Sequence, residues 1–183
     1  MPLRLPVRPE DLVPTRINRA PSPWVAGGLP WVTVMLASMI SFSPVVASAP
    51  VVPPLAFTIF LAWRMLRPSL LPVWAGLPLG AFDDLVSGQP LGSGIVLWSA
   101  AMLAMEAIDN RFLWRSFLQD WVAAGLLLTA YLVLGAGFAG IAAGYFLPLV
   151  IGPQVLISLA IYPLITKVVA LFDRIRLLPL RTV

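Results

Sequence analysis

The chain has 183 residues, of which 60% are hydrophobic and only 11% are charged, and its mean hydropathy is +0.93. A soluble domain has about 45–50% apolar and about 25% charged residues, so these polar side chains are too few to cover a surface that faces water. The composition therefore predicts an integral membrane protein. We expect one membrane domain, because no hydrophilic stretch is long enough to fold by itself.

The sequence contains no cysteine and no histidine. This excludes disulfides, thiolate nucleophiles and Ser-His catalysis, together with metal sites built on either residue. Rhomboid-type proteolysis and zinc-metalloprotease chemistry are excluded with them, and we expect no metal and no cofactor. The net charge is +4, and the basic residues that produce it lie beside apolar spans in the sequence. Membrane topology therefore explains the positive charge better than a nucleic-acid partner does.

Six apolar spans follow one another along the chain. The charge-free stretch 20–63 is too long for one helix, since a span needs about 20 residues. Four prolines between 44 and 54 indicate a turn within it. A second charge-free stretch, 121–166, also has room for two helices, with a turn in "GYFLPLVIGP". The predicted helices cover 24–43, 51–66, 69–87, 91–108, 117–142 and 148–171.

All twelve basic residues fall on one side of these spans. Because Lys and Arg favour cytoplasmic loops, we predict an all-α protein with six transmembrane helices and both termini in the cytoplasm. Its parts are a basic N-terminal segment 1–23, a membrane domain 24–171 and a basic tail 172–183. The basic residues are Arg4, Arg8, Arg16, Arg19, Arg64, Arg67, Arg111, Arg115, Lys167, Arg174, Arg176 and Arg181.

Four tryptophans lie near predicted span ends: Trp24, Trp63, Trp114 and Trp121. Tryptophan is enriched at membrane–water interfaces, so we interpret the four as interfacial anchors. The alternative is that tryptophan is simply common in this chain.

Span five contains a GxxxG pair, Gly140 and Gly144. Small residues let helix backbones approach closely within lipid. The pair is either a face for a partner or for self-association, or a packing contact inside the six-helix bundle, and the second interpretation is simpler.

Two adjacent carboxylates, Asp83 and Asp84, interrupt the apolar end of span three. Counted from Arg67, Asp84 lies about 25 Å along the span, close to the outer boundary of a hydrocarbon core of about 30 Å. A structural role is favoured at that depth. We expect the Asp84 carboxylate to accept hydrogen bonds from backbone donors of the following turn, "SGQPLGSG".

Catalytic interpretations of these aspartates fit less well. An aspartyl protease needs two carboxylates that converge on one water, whereas neighbours on a helix point about 100° apart. Glu106 and Asp109 belong to the opposite membrane face, and a two-metal phosphotransferase needs a richer acidic cluster. A catalytic role for Asp83 or Asp84 is therefore the less favoured alternative, which Asp→Asn changes would distinguish from a structural role.

The segment around Asp84 resembles a family signature. Its pattern, G-x-x-x-D-L-x-S-G-x-x-L-G, resembles that of the MreD family of rod shape-determining membrane proteins. Chain length, six helices, cytoplasmic termini and a proline ahead of span two fit the same family. Asp84 matches the family's aspartate, whereas Asp83 stands where members often have an apolar residue. The signature residues are Gly80, Asp84, Leu85, Ser87, Gly88, Leu91 and Gly92.

The resemblance implies a function that the spacing does not supply. MreD-type proteins are non-enzymatic components of the bacterial elongation machinery for peptidoglycan synthesis, in the inner membrane. They associate with MreC, and through it with MreB filaments, RodA and its partner transpeptidase. The implied fold is similar to the substrate-binding components of energy-coupling-factor transporters. That analogy leaves open a small-solute transporter component, in which polar groups should converge near the midplane.

Overall fold

The computed structural model describes residues 23–40, 52–111, 116–143 and 151–176. Within these ranges the chain is helical and contains no β-strand. Its α-helices follow the order of the six predicted spans, and a short 3-10 helix at Val73–Ala75 precedes the third. They are α1 (Pro23–Ile40), α2 (Leu55–Leu66), α3 (Gly76–Ser87), α4 (Ser93–Arg111), α5 (Phe117–Ala143) and α6 (Ile151–Arg176).

Among the described residues, two segments are long and apolar enough to cross a membrane, Phe117–Ile141 and Ile151–Arg176. Only 28% and 22% of their most apolar windows are buried inside the molecule. Large apolar side chains such as Leu126 and Leu156 are exposed instead, each at 68%. A core helix of a water-soluble protein would bury such side chains. The outer surface of α5 and α6 is therefore suited to lipid.

Helices α2 and α3 are shorter than the predicted spans 51–66 and 69–87, since α2 begins at Leu55 and α3 at Gly76. Prolines precede both starts, and proline disfavours helical backbone in the residue before it. Twelve helical residues in each rise about 18 Å. The non-helical residues 52–54 add at most about 10 Å before α2, and the 3-10 helix adds about 6 Å before α3. Each segment thus approaches the thickness of a hydrocarbon core only together with the residues that lead into its α-helix.

The boundary predicted for the tail also differs, because α6 continues to Arg176 rather than ending at 171. The start of the predicted tail, 172–176, is therefore part of the last helix.

Helix α2 lies at the centre of the bundle, where it packs on α1, α5 and α6. Phe57, Phe60 and Leu61 are almost completely buried, as expected for a helix that is apolar on all sides. The ring of Phe57 stacks on that of Tyr131 with centroids 4.0 Å apart, and Trp98 meets Phe57 edge-on at 5.6 Å. These aromatic contacts tie α2 to α4 and α5.

Trp63 belongs to this core, so the prediction of an interfacial anchor is wrong for this residue. Its side chain is 0% exposed, and its indole N–H donates to the Thr33 hydroxyl at 2.9 Å. Trp121 is partly exposed near the start of α5 and donates to the Leu159 carbonyl at 3.3 Å. The predictions for Trp24 and Trp114 concern side chains outside the described set.

The C-terminal ends of α2, α4 and α6 meet at one end of the bundle, which we call the basic end. Arg64 pairs there with Glu106 at 2.6 Å and with Asp109 at 3.0 Å. Arg67 pairs with Asp173 at 3.0 Å. These ion pairs bring the C-terminal ends of α2, α4 and α6 to the same end of the bundle. The helices that connect them in the chain, α3 and α5, therefore run in the opposite direction.

Replacing Arg64 by Met is expected to lower the free energy of unfolding by about 1–2 kcal/mol. The Arg64 side chain is 3% exposed, and its loss would leave two carboxylates close together. Breaking a fully buried pair costs about 3–5 kcal/mol, but Glu106 is 44% exposed and water screens it. Thermal unfolding of the purified protein measures the loss.

The matched control is Arg67→Met, because the Arg67 side chain is half-exposed and Asp173 would keep its bond from Arg176. A loss for Arg67→Met as large as that for Arg64→Met would contradict the importance of the buried pair.

Candidate functional site

The Asp84 carboxylate holds the first turn of α4. One carboxylate oxygen accepts a hydrogen bond from the N–H of Gly94 at 2.7 Å, and the Ser93 hydroxyl, which donates to the Pro90 carbonyl at 2.7 Å, lies 3.3 Å from the same oxygen. The other accepts from the N–H groups of Gly92 at 2.9 Å and Ile95 at 3.2 Å. The first N–H groups of a helix have no partner within the helix and favour negative charge. We call this arrangement the Asp84 clamp; it joins the end of α3 to the start of α4.

Glycines let the two helices approach closely enough for the clamp. A Cβ atom added to Gly80 would lie 2.6 Å from the carbonyl oxygen of Gly94, and one added to Gly94 would lie 2.6 Å from the Asp84 carboxylate. Gly88 and Gly92 adopt φ angles of 69° and 96°, in the left-handed region where glycine carries no steric penalty. Four glycines thus serve the turn, two by size and two by backbone conformation.

The remaining signature residues lie elsewhere. Leu85 and Leu91 expose most of their side chains on the outer surface, and Ser87 lines a cavity. Gly140 is buried in α5, and Gly144 lies outside the described residues, so their predicted role as a pair stays a prediction.

A cavity of about 390 Å³ lies at the end opposite the basic end. Its wall combines the end of α1, the start of α2, the end of α3, the middle of α5 and the start of α6. Much of the wall is apolar, with two prolines and Phe57 among the lining residues. The polar lining residues are Asp83, Ser87, Gln89, Tyr131 and Gln154.

Asp83 faces this cavity, whereas Asp84 faces α4. Asp83 is 4% exposed and lies close to the hydroxyls of Ser38 and Tyr131. The two carboxylates therefore have different partners, and this geometry does not match the shared-proton pair of an aspartyl protease. In the part of the chain that the structure describes, no group of three or more acidic side chains could hold a metal ion.

Sequence reasoning did not single out the two amides at the cavity. The Gln89 side-chain amide donates to the Tyr131 hydroxyl at 3.5 Å, and that of Gln154 donates to the Val52 carbonyl at 2.7 Å. The chain has few polar residues, so an amide next to an apolar span could have been recognised in the sequence as a candidate site residue. It could not show that residues from α3, α5 and α6 share one cavity.

Comparisons with protein-family models, curated proteins and solved structures produced no match to this chain.

Proposed function

We propose that this protein is a non-enzymatic membrane scaffold of the MreD type, acting in the bacterial cell-elongation complex and regulating cell shape. The observation that carries the proposal is the signature pattern around Asp84. The clamp gives that pattern a physical purpose, because its aspartate and its glycines all serve one junction between α3 and α4. The aspartate and the glycines of the signature are therefore also residues that the fold depends on.

The proposed topology is six spans with both termini in the cytoplasm of a bacterial inner membrane. Two observations support it: the apolar outer surface of α5 and α6, and the grouping of Arg64 and Arg67 with the ends of α4 and α6. The positive-inside tendency then assigns the basic end to the cytoplasm. The Asp83 cavity would open toward the periplasm.

Fusions to alkaline phosphatase, which is active only outside the cytoplasm, test this topology. We expect activity for fusions after Gln89 and Tyr145, and none for fusions after Arg67 and Arg176. Fluorescent-protein fusions at the same positions should give the reverse pattern. Cytoplasmic reporters after Gln89 or Tyr145 would overturn the threading and remove the main support for the family resemblance.

The proposed partner is MreC, with MreB, RodA and its transpeptidase connected through it. The connections between the described helices are short, so membrane-embedded helix faces are the main surface left for partners. Exposed apolar side chains on α5, such as Leu126 and Leu134, lie on one such face. The same face contacts membrane lipid and would also serve self-association.

The test of this role is depletion of the gene in a rod-shaped host. We expect depleted cells to become round and a plasmid copy of the wild-type gene to restore rods. MreC should co-purify with the tagged protein from detergent extracts, and crosslinks should map to the exposed helix faces. Normal rods after depletion, together with no MreC in the extract, would contradict the proposal.

A second candidate function is the small-solute binding component of a transporter. One observation favours it: polar side chains from three of the helices converge on a single cavity. Mass spectrometry of a solute that co-purifies with the protein, combined with normal cell shape after depletion, would favour this function over the scaffold.

A further inference from the structure

The cavity contains a buried carboxylate, Asp83, with no basic side chain near it among the residues that the structure describes. Within the described ranges, none of the residues that line the cavity is basic. In the sequence, the segments 41–51, between α1 and α2, and 144–150, between α5 and α6, contain no Lys or Arg. Arg64 lies seven residues beyond Phe57 on α2, about 10 Å along the helix, and it is engaged by Glu106 and Asp109. The charge of Asp83 therefore has no partner of opposite sign within the described chain.

Asp84 cannot relieve this charge, because it is also negative and its oxygens are occupied by α4. The hydroxyls of Ser38 and Tyr131 lie close to Asp83 but carry no charge, and a buried carboxylate without a counter-charge is strongly disfavoured unless a proton or another cation joins it. The Ser87 hydroxyl adds a second unsatisfied group, since it is buried and has no hydrogen-bond partner among the described residues. This corner of the cavity thus attracts positive charge and hydrogen-bond donors.

The rest of the cavity indicates what kind of cation fits. Its volume of about 390 Å³ lies within the range of about 300–1,000 Å³ typical of small-ligand pockets. A bare metal cation prefers a close cage of oxygen ligands, but Phe57, Leu132 and Pro53 make much of this wall apolar. An organic cation fits both the charged corner and the apolar wall of the cavity, with its charge at the carboxylate and its carbon skeleton against the apolar side chains.

We propose that this cavity binds the ammonium group of a primary amine, with Asp83 as the counter-ion. An ammonium group has three donors, and the cavity wall offers an acceptor for each of them. These are the Asp83 carboxylate, the Ser87 hydroxyl and the side-chain oxygen of Gln89, whose nitrogen already points to Tyr131. The inference goes beyond the scaffold role and does not depend on it.

A primary ammonium has two sources at a membrane surface, a free amine and the headgroup of phosphatidylethanolamine. The first experiment tests the free amine by thermal unfolding of the purified full-length protein in detergent at pH 7. The probe is phenethylamine, and the matched neutral compound is 2-phenylethanol. We expect the unfolding temperature to rise by several degrees with the amine and to stay unchanged with the alcohol.

The second experiment tests the lipid by native mass spectrometry of the same protein with phosphatidylethanolamine or phosphatidylglycerol. Retention of phosphatidylethanolamine alone identifies the headgroup as the source. A response to phenethylamine alone identifies a free amine. Both results support the ammonium site.

The Asp83→Asn variant should bind phenethylamine at least tenfold more weakly and lose the lipid preference. Without a ligand it should unfold at a higher temperature than the wild type, because the unpaired charge is gone. Asp120→Asn is the matched control, since it removes a carboxylate from the first turn of α5, away from the cavity. Its rise in unfolding temperature with phenethylamine should equal that of the wild type. Tyr131→Phe keeps the ring on Phe57 and should weaken binding about threefold.

Equal responses to amine and alcohol with no lipid preference would overturn the site, as would an unchanged amine response in Asp83→Asn. If Asp83→Asn does not fold, an unchanged response in Tyr131→Phe counts against the site in the same way. A negative result leaves the cell-shape experiment unaffected, so the two proposals fail separately.

Discussion

Replacing Asp84 by Asn is expected to remove most of the folded protein from membranes. Asp84 accepts hydrogen bonds from three backbone N–H groups at the start of α4. Asparagine offers one acceptor oxygen and turns an NH₂ group toward donors. Hydrogen bonds to charged groups contribute about 1.5–3 kcal/mol each, and partial compensation by the remaining oxygen leaves an expected loss of about 2–4 kcal/mol in the free energy of unfolding.

Immunoblots of membrane fractions and thermal unfolding in detergent measure this effect. The matched control is Asp83→Asn, the same isosteric change one residue earlier, which should leave abundance unchanged or higher. A stable, assembled Asp84→Asn protein that no longer supports rod shape would contradict a purely structural clamp and reopen a chemical role for the carboxylate.

Replacing Gly80 by Ala should be nearly as damaging, for a steric reason. The added Cβ atom would lie 2.6 Å from the Gly94 carbonyl oxygen and 2.7 Å from its carbon. Both are backbone atoms of α4, so no side chain can rotate away. The helices must separate, which would also lengthen the bonds of the Asp84 clamp. Overpacking of this kind costs about 1–3 kcal/mol, measured as a lower unfolding temperature.

Gly137→Ala is the control for this change. Gly137 also lies within a helix, but a Cβ atom added there has nothing within 4 Å. Alanine has a higher helix propensity than glycine, so this variant should be as stable as the wild type or more stable. Equal losses at Gly80 and Gly137 would show that close approach of α3 and α4 is not what the glycine provides.

Composition and hydropathy by themselves determined that the chain is helical and presents an apolar surface, and they determined the order of the six helices. These properties depend on short stretches of sequence, because proline and apolar runs act on their own neighbours. The turn held by Asp84 also depends on a short stretch of sequence. Its donors lie within eleven residues of the carboxylate, so an aspartate followed by glycines was enough to expect the contact.

Helix ends within proline-rich stretches were predicted less well. The sequence indicates that a turn must occur between 44 and 54, but α2 begins only after the last of those prolines. Apolar residues on both sides of the boundary look alike in a hydropathy profile, so hydropathy cannot locate the first helical hydrogen bond.

Only the tertiary structure decided which side chains meet across the bundle. Trp63 has the residue type and the position of an interfacial anchor, but it is buried against Thr33. The acidic partners of Arg64, Glu106 and Asp109, lie at least 42 residues away in the sequence. The cavity is lined by residues that are far apart in the sequence, the first being Ile40 and the last Gln154. The rotation of each helix about its axis decides such contacts, and that rotation is set by packing against every neighbour at once rather than by any local stretch of sequence.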